Sequence, residues 1–178
     1  MLSSAGKECG IVWSDMGYDS GIHVLVGLQS PRLEGKALDV LKALRPAGVI
    51  LRKEALLSGA SYETWLDSLD ELLSDVKKAI GRAKVLVAVD HEGGRVNRFP
   101  PPVTQFPYPI FFREHARAVG QAMGKELRSF GVNFVLSPVA DIHTNPNNPV
   151  IGPRAFGRNA KEASRFDASF LKGIQESG

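Results

Sequence analysis

The chain has 178 residues, of which 43% are hydrophobic and 23% charged, with a formal net charge of +3 and a single cysteine. These proportions are typical of a globular domain, and they exclude collagen-like, intrinsically disordered and disulfide-stapled chains. Because Cys9 has no partner within the chain, an internal disulfide is excluded and a reducing compartment is expected.

The distribution of charge and hydropathy argues against two classes of partner. The chain has 22 Lys and Arg against 19 Asp and Glu and contains no basic run, so we expect no nucleic-acid interface. The longest nearly uncharged stretch, 132–140, is far shorter than the ~20 residues of a membrane-spanning helix. The first eight residues lack the apolar core of a signal peptide. We therefore expect a cytoplasmic protein without a membrane partner.

Four short apolar runs, rich in Val, Ile and Leu, punctuate the chain. They are Ile22–Leu28, Gly48–Leu51, Val85–Val89 and Val132–Val139. None shows the polar alternation of a strand with one solvated face. Continuous apolar runs of this length predict parallel strands that are buried on both faces.

Amphipathic segments follow each run. A helix is predicted from about Gly35 to Arg45, and a longer one from Tyr62 to Ile80, where a glycine ends it. A third apolar stripe at helical spacing extends from Phe112 to Phe130. The last helix begins after Asn159, since Glu162 three residues later completes the pattern of a capping box.

The predicted order is four successive strand–helix units. Parallel units of this kind form either an open doubly wound sheet or a closed barrel. A complete (β/α)8 barrel needs about 250 residues, so the chain is either half of a barrel or a small flavodoxin-like sheet. In both folds the chemistry collects at the carboxyl ends of the strands.

The third predicted strand leads directly into the segment Asp90-His-Glu-Gly-Gly-Arg-Val-Asn-Arg-Phe. The glycine pair allows a sharp turn, which can bring Arg95 and Arg98 back over the strand end that carries Asp90. A carboxylate accepts hydrogen bonds from vicinal hydroxyls, and a guanidinium donates to neighbouring oxygens, so this combination suits a sugar. The alternative is that Asp90 caps a turn and that the arginines are solvated.

The fourth predicted strand ends in Ser137-Pro-Val-Ala-Asp141, followed by a loop that contains Ile151-Gly-Pro-Arg154. Asp141 either faces the strand ends or orders its loop by accepting backbone N–H groups. Arg154 either contacts a ligand or forms a structural ion pair, for instance with Asp141.

Taken together, three motifs resemble the β-N-acetylglucosaminidases of glycoside hydrolase family 3. They are D-x-E-G-G-R-V-x-R-F, S-P-V-x-D and V-I-G-x-R-[AS]-F-G, in the order and spacing of the family, and the similarity extends from about Val24 to the last residue. The resemblance implies a TIM-type (β/α)8 barrel, with residues 1–178 as its N-terminal part of about four βα units. It also implies hydrolysis of terminal β-N-acetylglucosaminides by a retaining mechanism, without a cofactor.

By this resemblance Asp90 would hold sugar hydroxyls, and Arg98 and Arg154 would contact the oxygens of the same sugar. His91 departs from the family, whose bacterial members usually carry Gln at this position. The family's later motifs, which carry the general acid/base and the nucleophile, are not in the chain. We therefore assign no catalytic residue and expect residues 1–178 to be inactive alone. The implied substrate is an N-acetylglucosamine-containing oligosaccharide or muropeptide.

Three alternatives stay open at this stage. A divalent metal could bind at the strand ends, although the spacing of the candidate ligands matches no metal motif. The protein could be a family 3 β-glucosidase, or a non-catalytic chain that only binds sugar. The candidate metal ligands are Asp90, His91, Glu92, Asp141 and His143.

Overall fold

The computed structural model describes residues 19–178, so the expectations for the first eight residues and for Cys9 lie outside the described residues. The described part contains four strands and five α-helices. The strands are β1 (Leu25–Leu28), β2 (Gly48–Leu51), β3 (Leu86–Val89) and β4 (Phe134–Val135). The helices are α1 (Gly35–Leu44), α2 (Tyr62–Ile80), α3 (Pro109–Phe112), α4 (Ala116–Ser129) and α5 (Ala160–Gln175).

All four strands are parallel and lie in the sheet in their sequence order, β1-β2-β3-β4. The prediction that the third and fourth strands are parallel neighbours is confirmed by the pairing of Ala88 with Phe134 and of Val89 with Val135. The flavodoxin-like alternative would place the second strand outside the first. A sheet that adds each strand on the same side, with a helix after each, is the first half of a TIM-type barrel.

The predicted helix ends are reproduced by specific caps. Helix α2 begins where the Ser61 hydroxyl accepts from the Thr64 N–H at 3.2 Å, and it ends at Gly81, which adopts a left-handed φ of 63°. Helix α5 begins where the Asn159 side chain accepts from the Glu162 N–H at 3.0 Å. The Glu162 carboxylate in turn accepts from the backbone N–H of Arg158 at 3.2 Å, one residue before the position that a capping box uses.

Two predicted elements have different bounds in the structure. The first strand begins at Leu25 and not at Ile22, because residues 20–23 form a 3₁₀ turn closed by a hydrogen bond from Val24 N–H to Gly21 C=O. The stripe from Phe112 to Phe130 is divided between α3 and α4, which are separated by a second 3₁₀ turn at 113–115.

The fourth strand is much shorter than the predicted Val132–Val139. Asn133 precedes it, and its side chain donates to the Val85 carbonyl at 3.0 Å and accepts from the Val87 N–H at 2.8 Å. Beyond the strand, the Leu136 N–H still donates to Val89 at 2.9 Å. The ladder then ends near Pro138, which has no N–H to donate. Of the predicted strand Val132–Val139, only Phe134 and Val135 near its start form a strand.

The two faces of the sheet have different surroundings. Val49, Val87 and Val89 belong to one buried core with the apolar faces of the helices. On the opposite face Leu86 is 40% exposed and Phe134 41% exposed. That face lines the interior when such a sheet closes into a barrel, where side chains from the other strands cover it. None of the helices in residues 19–178 is long and apolar enough to cross a membrane.

The uncovered face predicts how residues 1–178 behave when expressed alone. We expect self-association and strong binding of a hydrophobic dye, because within residues 19–178 β1 and β4 are the edge strands of the sheet and apolar side chains on one of its faces are exposed. Size-exclusion chromatography with dye fluorescence measures both. A monodisperse monomer with no dye signal would contradict this expectation.

Candidate functional site

Asp90 directly follows β3 and therefore lies at the carboxyl edge of the sheet. Its side chain is 27% exposed, and its Oδ2 lies 3.6 Å from a terminal nitrogen (Nη2) of Arg98, whose side chain is 31% exposed. The structure thus brings together two of the three predicted sugar ligands. The two groups face each other and are still accessible, as a ligand site requires.

The turn that returns the chain to Asp90 depends on the glycine pair. Gly93 and Gly94 have φ values of 104° and 58°, in the left-handed region that glycine tolerates. A Cβ on Gly93 would collide with the carbonyl of Pro107, and one on Gly94 with the ring of Tyr108. The predicted sharp turn is therefore confirmed, and it leaves no room for other side chains at these two positions.

Hydrogen bonds hold the returning segment in place. The Glu92 N–H donates to the Val96 carbonyl at 2.9 Å, which closes the turn. The Asn97 side chain donates to the carbonyls of Gly94 at 3.1 Å and Phe106 at 2.9 Å. Arg98, the next residue, is consequently carried on a backbone that is fixed on both sides of the turn.

Arg95 does not reach Asp90. Its guanidinium donates to the backbone carbonyl of Val150, in the loop that precedes Arg154. The expectation that both arginines of the motif lie over Asp90 is correct for Arg98 and wrong for Arg95, which instead ties the loop after β3 to the loop after β4.

Arg154, the third predicted ligand, is paired with Glu92. Its Nε donates to Oε2 at 2.7 Å and its Nη2 to Oε1 at 2.8 Å, while Nη1 donates to the Val150 carbonyl at 3.1 Å. The two side chains are only 19% and 7% exposed, respectively. The hydrogen bonds to Glu92 raise the pKa of the guanidinium, burial opposes them, and the charges of Glu92 and Asp90 add to the increase. Arg154 is thus a permanent cation within the electrostatic reach of Asp90.

Asp141 is not the partner of Arg154. It is exposed, and its carboxylate accepts the N–H of the next residue, Ile142, at 2.7 Å. Of the two interpretations of Asp141, the structure fits the one in which the carboxylate orders its own loop. Because it follows β4, which is parallel to β3, it lies at the same carboxyl edge of the sheet as Asp90.

His91 is completely buried, at 0% exposure. Its Nδ1 accepts the backbone N–H of Arg98 at 3.2 Å, and its ring packs edge-on against Phe99 and Phe106 with centroid distances of 5.9 and 6.2 Å. Burial, and to a smaller extent the charge of Arg98, lowers its pKa from 6.5 to about 4. The imidazole is neutral at physiological pH.

The candidate metal site does not form. Within residues 19–178, no three His, Cys, Asp or Glu side chains gather where they could share an ion. Glu92 holds Arg154, Asp90 faces Arg98, and the Nδ1 of His91 is occupied by a backbone N–H. The charged side chains of the motif are therefore organised as two carboxylate–guanidinium pairs.

A cleft of about 590 Å³ lies beside Arg98, between the loop after β2 and the loop after β3. Its walls include Lys53, Glu54, Asn97 and Gln105. The arginine lines this cleft with one side of its side chain and contacts Asp90 with its terminal nitrogen. Asp90 is not part of its lining, so the cleft adjoins the Asp90–Arg98 pair through Arg98.

Sequence reasoning missed the role of Glu92 and the burial of His91. Glu92 stands in the motif, but its partner is 62 residues away, and no local pattern identifies it. For His91 a signal did exist, since Phe99 and Phe106 are apolar residues spaced for contact within the same loop.

The described part of the chain matches a known protein family along nearly its whole length. The profile of the family described as "Glycosyl hydrolase family 3 N terminal domain" matches residues 20–178. The β-hexosaminidase of Thioalkalivibrio sulfidiphilus is 37% identical over 162 residues, which cover 82% of this chain and 44% of that protein. The β-hexosaminidase of Methylococcus capsulatus is 33% identical over 159 residues, covering 85% and 45%. The chain thus spans less than half the length of these relatives.

Two solved structures share the fold. NagZ from Neisseria gonorrhoeae, in complex with N-trifluoroacetyl-D-glucosamine, superposes with a TM-score of 0.74 at 27% identity, over 87% of this chain and 47% of that one. A glycoside hydrolase family 3 β-N-acetylglucosaminidase from Paenibacillus gives a TM-score of 0.78 at 25% identity, over 89% and 30%.

Proposed function

Because this chain belongs to glycosyl hydrolase family 3 and corresponds to its N-terminal domain, we propose that it supplies the sugar-binding half of a β-N-acetylglucosaminidase. The observation that carries the proposal is the Asp90–Arg98 pair at the carboxyl end of β3, accessible beside a cleft. The similarity to named β-hexosaminidases supports the same activity.

Each of the three side chains has a defined task in the proposed site. Asp90 accepts hydrogen bonds from two vicinal hydroxyls of the terminal sugar, and Arg98 keeps the carboxylate oriented while it donates to a neighbouring oxygen. Arg154, held by Glu92, offers its remaining N–H groups from the neighbouring loop. These residues bind and orient the sugar, and none of them is assigned as the nucleophile or the acid/base of a retaining hydrolase.

The proposed substrate is a terminal N-acetylglucosaminide, either an oligosaccharide or a muropeptide, and the proposed location is the cytoplasm. The domain assignment follows the same proposal, with 1–178 as the N-terminal part of the catalytic barrel. Cell fractionation tests the location, and hydrolysis of purified muropeptides and chito-oligosaccharides tests the two substrate classes.

The activity is tested on the full-length enzyme that contains this half. We expect hydrolysis of 4-nitrophenyl N-acetyl-β-glucosaminide with a kcat/KM at least ~100-fold above that for 4-nitrophenyl β-glucoside, a difference of about 2.7 kcal/mol in transition-state binding. A preference for the glucoside would support the β-glucosidase alternative, and hydrolysis of neither substrate would support a non-catalytic sugar-binding protein.

A further inference from the structure

His91 connects the two members of the Asp90–Arg98 pair. It follows Asp90 directly in the chain, and its Nδ1 accepts the backbone N–H of Arg98 at 3.2 Å. The imidazole therefore closes the base of the loop from 91 to 98. Asp90 is joined to His91 by one peptide bond, and the backbone of Arg98 is joined to the His91 ring by one hydrogen bond. The ring therefore constrains how far apart Asp90 and Arg98 lie.

Only the neutral ring can make this contact. A neutral imidazole carries one proton, and because Nδ1 is the acceptor the proton is on Nε2. An imidazolium would present an N–H at Nδ1 to the N–H of Arg98, so the hydrogen bond would be lost. The Nε2 atom is buried and has no hydrogen-bond partner among residues 19–178, which leaves nothing there to stabilise a cation.

The surroundings of the ring also disfavour its protonation. The ring packs against the edges of Phe99 and Phe106, and Arg98 is the charged group that acts on it. The neighbouring carboxylates in the chain, Asp90 and Glu92, are each engaged by an arginine. Burial together with the Arg98 charge lowers the pKa of His91 to about 4.

We propose that His91 is a positioning residue, whose neutral imidazole fixes the backbone of Arg98 and so sets the Arg98 guanidinium against the Asp90 carboxylate in the sugar site. The inference rests on the proposed function, since the pair it positions is the proposed sugar ligand. Protonation of His91 releases the Arg98 N–H, and sugar binding weakens in acid as a consequence.

A pair of variants with nearly equal shape isolates the acceptor. In the full-length enzyme, His91→Asn keeps an oxygen where Nδ1 lies and cannot be protonated, while His91→Leu has the same branching and no acceptor. Both leave a similar void, and thermal melts of the two variants show whether each of them folds. We expect His91→Asn to stay within ~3-fold of the wild-type KM, and His91→Leu to raise KM and the inhibition constant of N-acetylglucosamine about tenfold with little change in kcat. His115→Leu, at an exposed histidine, is the control and should change neither constant.

The pH dependence of KM distinguishes a positioning role of His91 from a purely structural one. The other ionisable groups of the site are the same in both proteins, so the informative quantity is the difference between the wild type and His91→Asn. As the pH falls from 5 to 4, KM should rise more steeply in the wild type, because only the wild type has a ring that becomes protonated near its pKa of about 4. Parallel profiles in the two proteins would overturn the proposal, as would equal KM values for His91→Asn and His91→Leu.

A spectroscopic measurement covers the case in which the variants do not fold. Two-bond ¹⁵N–¹H correlation spectra of the histidine-labelled wild type at pH 6 should show His91 with a bare Nδ1 and a protonated Nε2. An imidazolium at pH 6, or a proton on Nδ1, would overturn the inference. Failure of the proposed function is distinguishable, since it would appear as normal kinetics in Asp90→Ala whatever the His91 variants do.

Discussion

In the full-length enzyme, Asp90→Ala is expected to lower kcat/KM for an N-acetyl-β-glucosaminide on the order of 10²-fold or more. The carboxylate lies 3.6 Å from Arg98 and is 27% exposed, so it is ordered and open to a ligand. Removing it leaves two sugar hydroxyls and one guanidinium without a partner. Hydrogen bonds with a charged partner contribute ~1.5–3 kcal/mol each, and two of them account for this loss. Steady-state kinetics measures it.

The control for Asp90→Ala is Asp141→Asn, at the other carboxylate beyond a strand end. Asp141 is exposed, and within residues 19–178 its carboxylate accepts only the N–H of its neighbour. An amide oxygen also accepts this N–H, so both kcat/KM and the melting temperature should change little. Wild-type kinetics in Asp90→Ala would show that Asp90 does not bind the sugar.

Arg98→Lys should recover only part of the activity that is lost in Arg98→Ala, because an ammonium group does not reproduce the planar fork of a guanidinium.

Glu92→Ala is expected to damage both stability and sugar binding. The change leaves Arg154 as a mostly buried cation without its two hydrogen bonds of 2.7 and 2.8 Å. Breaking a buried ion pair costs up to ~3–5 kcal/mol, and because Arg154 is 19% exposed we expect the lower part of that range. Thermal melts should show a loss of several degrees, and kinetics should show an increased KM as Arg154 loses its orientation.

The matched control is Glu176→Ala, which removes a second Glu–Arg fork. Glu176 accepts from Arg117 at 2.9 and 2.6 Å, but these side chains are 32% and 58% exposed. Water screens the charges of an exposed pair, which therefore contributes little to stability, so the melting temperature should fall much less than in Glu92→Ala and KM should not change. Equal effects of the two substitutions would show that the burial of the Glu92–Arg154 pair has no special importance.

The parts of the fold that could be predicted are those that local physical chemistry determines. Helix α2 ends where Gly81 indicates and helix α5 begins where Asn159 indicates, because a left-handed glycine and an N-cap side chain act within one turn. The turn at Gly93 and Gly94 is of the same kind. Proximity of Asp90 and Arg98 follows from that turn, since they are only eight positions apart in the chain.

The parts that could not be predicted depend on contacts distant in the chain. The length of β4 is limited by the proline at 138, while the Asn133 side chain before the strand bonds the backbone at Val85 and Val87. The partners of Arg95 and Arg154 are set by how the loop after β4 lies on the loop after β3. Apolar periodicity carries no information about these pairings, whereas three ordered motifs identified the family without them.

The most direct test of the proposed sugar site is a crystal structure of the full-length enzyme with N-acetylglucosamine bound. We expect both carboxylate oxygens of Asp90 within about 2.5–3.0 Å of two sugar hydroxyls, with Arg98 and Arg154 donating to oxygens of the same ring. A sugar bound elsewhere, with Asp90 still facing only Arg98, would contradict the assignment of this site.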